Sequence, residues 1–134
     1  MARIRGRDTR PELIVRRTAH AMGYRFRLHR RDLPGTPDIV FPARRKVIFV
    51  HGCFWHRHVG CKRTTTPKSR TDYWSAKFAR NVERARRNLA ELERKGWEAL
   101  VLWECETRSP LVVGSTLSEF LGPPGSESGS RPGP

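Results

Sequence analysis

The sequence predicts an α/β fold with a mixed sheet, from three observations. A capped helix opens the chain, three short apolar runs separated by turns follow it, and a long amphipathic helix stands between the third run and a fourth. Strands joined by tight turns pair antiparallel, whereas a strand reached through a long helix is a crossover partner of its predecessor.

The elements follow in order. Thr9-Arg-Pro-Glu12 has capping-box spacing with Pro11 in the first turn, so a helix is expected near residues 10 to 22, stopped by Gly23. Leu13, Ile14, Ala21 and Met22 are expected to share its buried face. Tyr24, Phe26 and Leu28 alternate with Arg25, Arg27 and His29, the period of a strand with one wet face, and LPGTP at 33 to 37 is a turn. Asp38-Ile-Val-Phe41 and Lys46-Val-Ile-Phe-Val50 read as two hairpin-paired strands. A helix is expected from about Asp72 to Lys95, with Phe78, Val82, Leu89 and Leu92 toward the core and Gly96 as its stop. Trp97 to Trp103 reads as the fourth strand, and a weak helix spans 115 to 121. The chain divides into one domain over residues 1–121 and a Gly/Pro/Ser-rich tail over 122–134, which has no large apolar side chain and is expected to be disordered.

Charge is distributed unevenly. Residues 1–70 carry 18 Lys/Arg against 4 Asp/Glu and residues 71–134 carry 9 against 9, so the net +14 lies in the first half. Nucleic acid is the expected partner of such a face, because each neutralised phosphate releases counterions. No run approaches the roughly 18 apolar residues of a membrane span, and the N-terminus lacks the apolar segment of a secretory signal. A cytoplasmic protein with no membrane partner is expected.

HGCFWHRHVGC, residues 51 to 61, holds two of the three cysteines and three of the five histidines. Zinc takes a tetrahedral set of thiolates and imidazoles, and Cys53-x4-His58-x2-Cys61 offers three ligands spaced to wrap one ion. Cys105, the remaining cysteine, lies just past the fourth strand and would complete a Cys3His site. His56 competes with His58 for the metal on spacing alone, and three reduced core cysteines are the alternative.

Asp38 stands where the turn enters a strand, and the next strand ends at Val50-His51. Hairpin pairing brings carboxylate and imidazole to one end of the sheet. In the basic half of the chain this suits a Mg²⁺ ion held by a carboxylate and a backbone carbonyl, acting on a phosphodiester.

LPGTPDIVF, KVIFVHGCFWHRH, RTDYW, NVERARRNL and GWEALVLWEC, in that order from Met1 to Arg108, resemble the Vsr family, the endonucleases of very short patch repair. The resemblance implies a restriction-endonuclease-like core with a structural zinc. It also implies Mg²⁺-dependent nicking of double-stranded DNA 5′ to the T of a T·G mismatch left by deamination of 5-methylcytosine. It implies a bacterial, nucleoid-associated monomer, with mismatch-repair proteins and a DNA polymerase as further partners.

Position by position, Asp38 matches the metal-binding aspartate and Val50 the residue offering a backbone carbonyl to Mg²⁺. His56 matches the general base, His51 a second catalytic histidine, and Glu12 a supporting carboxylate, although its capping-box position gives it a structural role that needs no chemistry. The zinc ligands fall on Cys53, His58, Cys61 and Cys105. Phe54, Trp55 and Trp74 match aromatics that enter the DNA stack beside the mismatch. Each base-aromatic stack is worth about 1–3 kcal/mol in single-strand binders, and a wobble pair is easier to unstack than a matched one.

The chain departs from related patterns at three places. It has Phe49-Val50-His51 where restriction-type nucleases carry Glu-x-Lys, so its chemistry must rest on Asp38 and histidines. Two residues separate His58 from Cys61 where the commoner family form has one. Met1 falls where the family has additional residues that clamp DNA, so weaker affinity or specificity is expected. Two rival readings remain: a zinc-dependent DNA-binding module without catalysis, and a general or restriction-type DNase indifferent to mismatches.

Overall fold

Thr9 sits in extended conformation before the first helix and its Oγ1 accepts the Glu12 N–H at 3.4 Å, so the capping expected from the sequence forms its serine/threonine half. The computed structural model describes residues 9–54, 56–62 and 64–123. Along them run α1 (Arg10–Ala21), β1 (Arg27–Leu28), β2 (Ile39–Phe41), β3 (Lys46–His51), α2 (Thr71–Arg94), β4 (Glu98–Trp103) and α3 (Pro110–Leu121). Two single-turn helices, Pro42–Arg44 and Glu104–Arg108, follow β2 and β4.

The sheet is mixed, in the order β1-β2-β3-β4. β2 and β3 form the expected antiparallel hairpin, with Ile39 opposite Ile48 and Phe41 opposite Lys46. β4, reached through α2, pairs parallel to β3 in a register that sets Lys46 beside Glu98 and His51 beside Trp103. Both faces are covered, so the strands are apolar on both sides. Ile39, Phe41, Ile48 and Leu102 pack with Val15 and Ala19 of α1 and Val113, Leu117 and Leu121 of α3. Val40, Val47 and Phe49 pack on the other face with Leu92 of α2 and with Trp97.

Three sequence expectations are corrected by this packing. The buried face of α1 is Glu12, Val15 and Ala19, whereas Leu13, Ile14 and Met22 are half-buried and Ala21 is exposed. A hydrophobic pattern assigns glutamate to solvent, and here a carboxylate takes a core-facing position because an imidazole awaits it there. The strand expected over 24 to 29 shrinks to two exposed residues. Tyr24 and Phe26 instead meet the ring of Phe41 edge-on, so their apolar alternation serves packing rather than a ladder. Val82 of α2 is 43% exposed, because α2 meets the sheet through Leu92 and only its C-terminal half overlies the strands.

The last helix is longer than expected, beginning at Pro110 with Ser109 as its cap and burying Val113, Leu117 and Leu121. Gly122 and Pro123 are tied down by the Tyr24 hydroxyl and by Arg44, which donate to their carbonyls. The rest of the expected disordered tail, 124–134, lies outside the described residues, as does Trp55.

Candidate active site and metal centre

The equal ends of β3 and β4 build a candidate metal site. His51 and Trp103 are paired across the two strands, and the chain runs two residues beyond each to Cys53 and Cys105. The loop after Cys53 folds back through the His56 N–H to Gly52 C=O bond and the His58 N–H to Cys53 C=O bond at 3.0 Å, which returns His58 to the strand ends. Thr64 closes it, its hydroxyl donating to the His58 carbonyl at 2.6 Å. His58 Nδ1 then lies 3.7 Å from Cys53 Sγ and 3.5 Å from Cys105 Sγ, and the ligand atoms of Cys53, His58, Cys61 and Cys105 all fall within 4.8 Å of one another.

A tetrahedron with zinc–sulfur bonds of about 2.3 Å and zinc–nitrogen bonds of about 2.0–2.1 Å has sulfur–nitrogen edges of about 3.6 Å, so the donor set fits zinc. Gly60, between His58 and Cys61, has a φ of 77°, a conformation open to glycine, and an empty Cβ position. Supporting contacts come from the His58 ring stacked 4.2 Å from Trp103 and from Glu104, which accepts the Cys53 N–H at 3.3 Å. Burial pushes the Cys53 thiol up to about 12, so a cation is what would draw the thiolate out. His56 is not part of this set; spacing left the two histidines equal, and the fold brings in His58.

Beside the Cys3His cluster lies an open cleft of about 420 Å³. Asp38, Val50, His51 and His56 line it from the sheet side, with Arg31, and α2 contributes Asn81, Arg84 and Asn88. Gly35, at φ 79°, lets the turn approach α2 so closely that a Cβ there would meet Asn88 and Phe49 at 3.0–3.1 Å. Asp38 precedes β2, and its Oδ2 accepts the Val50 N–H at 2.7 Å, fixing the carboxylate across the hairpin as the strand pairing predicts. Burial pushes the Asp38 carboxyl up to about 6, against the pull of the Val50 N–H, and neighbouring Glu12 raises it further.

The two remaining loop histidines are brought together. The rings of His51 and His56 stack, and His51 also meets Trp103 edge-on at 5.4 Å. Burial, followed by the charge of His56, holds His51 down to about 3, and burial with nearby Arg84 lowers His56. Both are neutral near pH 7, so His56 is free to accept a proton. Glu12 is only 2% exposed, with Arg16 3.3 Å away and His29 Nε2 2.7 Å away. Phe54 and Trp74 meet with ring centres 6.1 Å apart, both packing on Phe78.

Sequence reading missed His29, Arg31, Asn81, Arg84 and Asn88. His29 was assigned to the wet face of a strand. Asn81, Arg84 and Asn88 recur at helical spacing along one stripe of α2, which is the signal that could have placed them together.

The family model described as DNA mismatch endonuclease Vsr matches residues 1–63. The type II nicking enzyme V.XorIIP of Xanthomonas oryzae pv. oryzae is 53% identical over 123 residues, spanning 92% of this chain and 90% of that protein. The chain belongs to the Vsr family of DNA endonucleases. A DNA mismatch endonuclease Vsr from Escherichia coli is 43% identical over 108 residues, 81% of this chain and 69% of that protein. The type II nicking enzyme V.NmeAIP of Neisseria meningitidis is 37% identical over 121 residues, 90% of this chain and 86% of that protein. Among the described residues no helix is long and apolar enough to cross a membrane. The Vsr family match and the basic first half of the chain agree on DNA as the substrate.

Proposed function

We propose that this Vsr-family chain nicks double-stranded DNA 5′ to the T of a T·G mismatch, the lesion left by 5-methylcytosine deamination, and so initiates very short patch repair in the bacterial cytoplasm. The observation that carries the reading is the meeting, in one cleft, of a fixed carboxylate at Asp38 with the stacked, neutral pair His51 and His56. The flanking sheet-and-helix architecture supports a restriction-endonuclease-like core, and Cys53, His58, Cys61 and Cys105 fit a structural zinc.

Asp38 and the Val50 carbonyl would hold Mg²⁺, with Glu12 behind them. Bound there, Mg²⁺ supplies Lewis-acid stabilisation of the charge that develops on the scissile phosphate. His56 takes a proton from the attacking water, and His51 keeps the His56 ring in place and donates to the phosphate. The P–O3′ bond breaks, leaving a 5′-phosphate and a 3′-hydroxyl. Arg31 and Arg84 flank the cleft as cations for the DNA backbone. Phe54, Trp55 and Trp74 enter the stack beside the mismatch, where a wobble pair yields more easily than a matched one.

A nicking assay on end-labelled duplexes, with all mismatches set against matched C·G in varied flanks, tests the reading. The T strand of T·G duplexes should be cut and matched duplexes left intact. Equal cutting of C·G would make the chain a general or restriction-type DNase, and tight binding without cutting would make it a non-catalytic zinc-dependent DNA-binding module.

A further inference from the structure

Glu12, His29 and Asp38 come from three separate segments, the first turn of α1, the residue after β1 and the entry to β2, yet their ligand atoms lie within 4.8 Å of one another. We propose that His29 is a metal ligand, completing with Glu12 and Asp38 a site of two carboxylates and one imidazole that takes Mn²⁺ more tightly than Mg²⁺. The assignment rests on the reading of Asp38 as a metal-holding carboxylate, and it adds a nitrogen donor to a site otherwise made of oxygens.

Three features support it. His29 Nε2 is buried and faces Glu12 Oε2 at 2.7 Å as an ionic contact, yet it meets hydrogen-bond geometry with no group among the described residues. A buried imidazole nitrogen left so is costly unless something else engages it. His29 is also held in the left-handed region at φ 49°, unfavourable for a residue with a side chain, and its N–H donates to the Asp38 carbonyl at 3.2 Å. The backbone thus fastens the imidazole to the very residue whose carboxylate it faces. Finally, the Glu12 and Asp38 carboxylates come from different segments yet bring ligand oxygens within 4.8 Å of one another and of the imidazole. A divalent ion between them offsets both charges.

The choice of ion follows from donor chemistry. Mg²⁺ prefers all-oxygen octahedral surroundings, while imidazole suits the later first-row divalent ions, and Mn²⁺ accepts both donor types. His29 and Asp38 both open onto the cleft, so an ion on them keeps a side free for a DNA phosphate. These atoms are separate from the Cys53, His58, Cys61 and Cys105 set, so zinc and Mn²⁺ do not compete for one place.

The test is Mn²⁺ titration into the zinc-loaded full chain, free and with a matched duplex, followed by electron paramagnetic resonance for nitrogen hyperfine coupling. The native chain should show imidazole nitrogen coupling and bind Mn²⁺ more tightly than Mg²⁺. His29→Gln should lose the coupling and weaken Mn²⁺ binding by about tenfold or more, since even the outer partners of metal ligands are worth that much. Zinc content and melting temperature report whether the variant is folded, and His29→Asn carries the same comparison if the glutamine variant is not. Coupling that persists without His29, or is absent from the native chain while Asp38→Asn abolishes Mn²⁺ binding, overturns the role of His29 and leaves that of Asp38. Mn²⁺ binding unchanged by Asp38→Asn overturns both.

Discussion

The imidazoles of His51 and His56 lie face to face, ring centres 3.7 Å apart and planes 6° from parallel. Two rings so placed cannot both carry a proton at modest cost, and burial already disfavours the first. One proton at a time is what a general base requires. The stack also holds His56, a loop residue, against His51 of the sheet, which suits the general-base role proposed for it.

Asp38→Asn keeps the side-chain shape but removes the charge that holds Mg²⁺, so nicking should fall by several orders of magnitude while DNA binding survives. His56→Ala should lower nicking by about 10² to 10⁴-fold through lost proton transfer. Zinc content should stay intact in both, because His58 and not His56 joins the cysteines. Zinc lost from His56→Ala would exchange the two histidines, and an active Asp38→Asn would remove the mechanism.

Cys105→Ser should release about one zinc per chain and lower the melting temperature, because this ligand alone comes from beyond α2 and ties the loop to the end of β4. Elemental analysis and a thermal melt decide it. Full zinc content with unchanged melting would count against the site.

Mg²⁺ binding should weaken as pH falls below about 6, where the proton held by Asp38 competes with the ion. The sign for stability is the reverse. A carboxyl raised from 3.8 to about 6 on folding contributes stability that is present at low pH and lost as pH rises through about 6. Added Mg²⁺ should therefore raise the melting temperature more at pH 7.5 than at pH 5.5, and a Mg²⁺ effect independent of pH would show that Asp38 is not its ligand.

Leu92 and Val82 share the apolar stripe of α2, yet one is wholly buried and the other 43% exposed. Leu92→Ala should cost about 2–5 kcal/mol, whereas Val82→Ser should stay within about 0.5 kcal/mol. Chemical denaturation of both variants measures the contrast. Equal losses would mean that Val82 is covered in solution.

The sheet was largely legible because its strands are short apolar runs bounded by turns, and a long helix between two of them left little choice of connection. The Cys3His cluster was legible because cysteine and histidine are rare in this chain and three of its four residues are close in sequence, Cys105 excepted. Elsewhere periodicity misled. It left Glu12 open between a site carboxylate and a helix cap and put His29 on the wet side of a strand, because a pattern of apolar and polar side chains cannot express two polar groups buried against each other. It also extended the core along α2 to Val82, since the point at which a helix leaves a sheet depends on strand length and crossing direction, neither of which is written in the helix itself.

The in-register ends of β3 and β4 have a consequence for the order of events during synthesis. Asp38, His51 and His56 leave the ribosome well before Cys105, which is the last ligand of the Cys3His set and lies beyond the whole of α2. Until Cys105 emerges and β4 seats beside β3, the loop holds three of the four cluster residues from one short segment and is tied to the sheet through β3 alone. Closure of the Cys3His cluster would therefore wait for the end of β4 to be made. A chain truncated before Cys105 carries Asp38, His51 and His56 but lacks the fourth cluster residue beyond the end of β4, so the proposed nicking should be weak or absent in it.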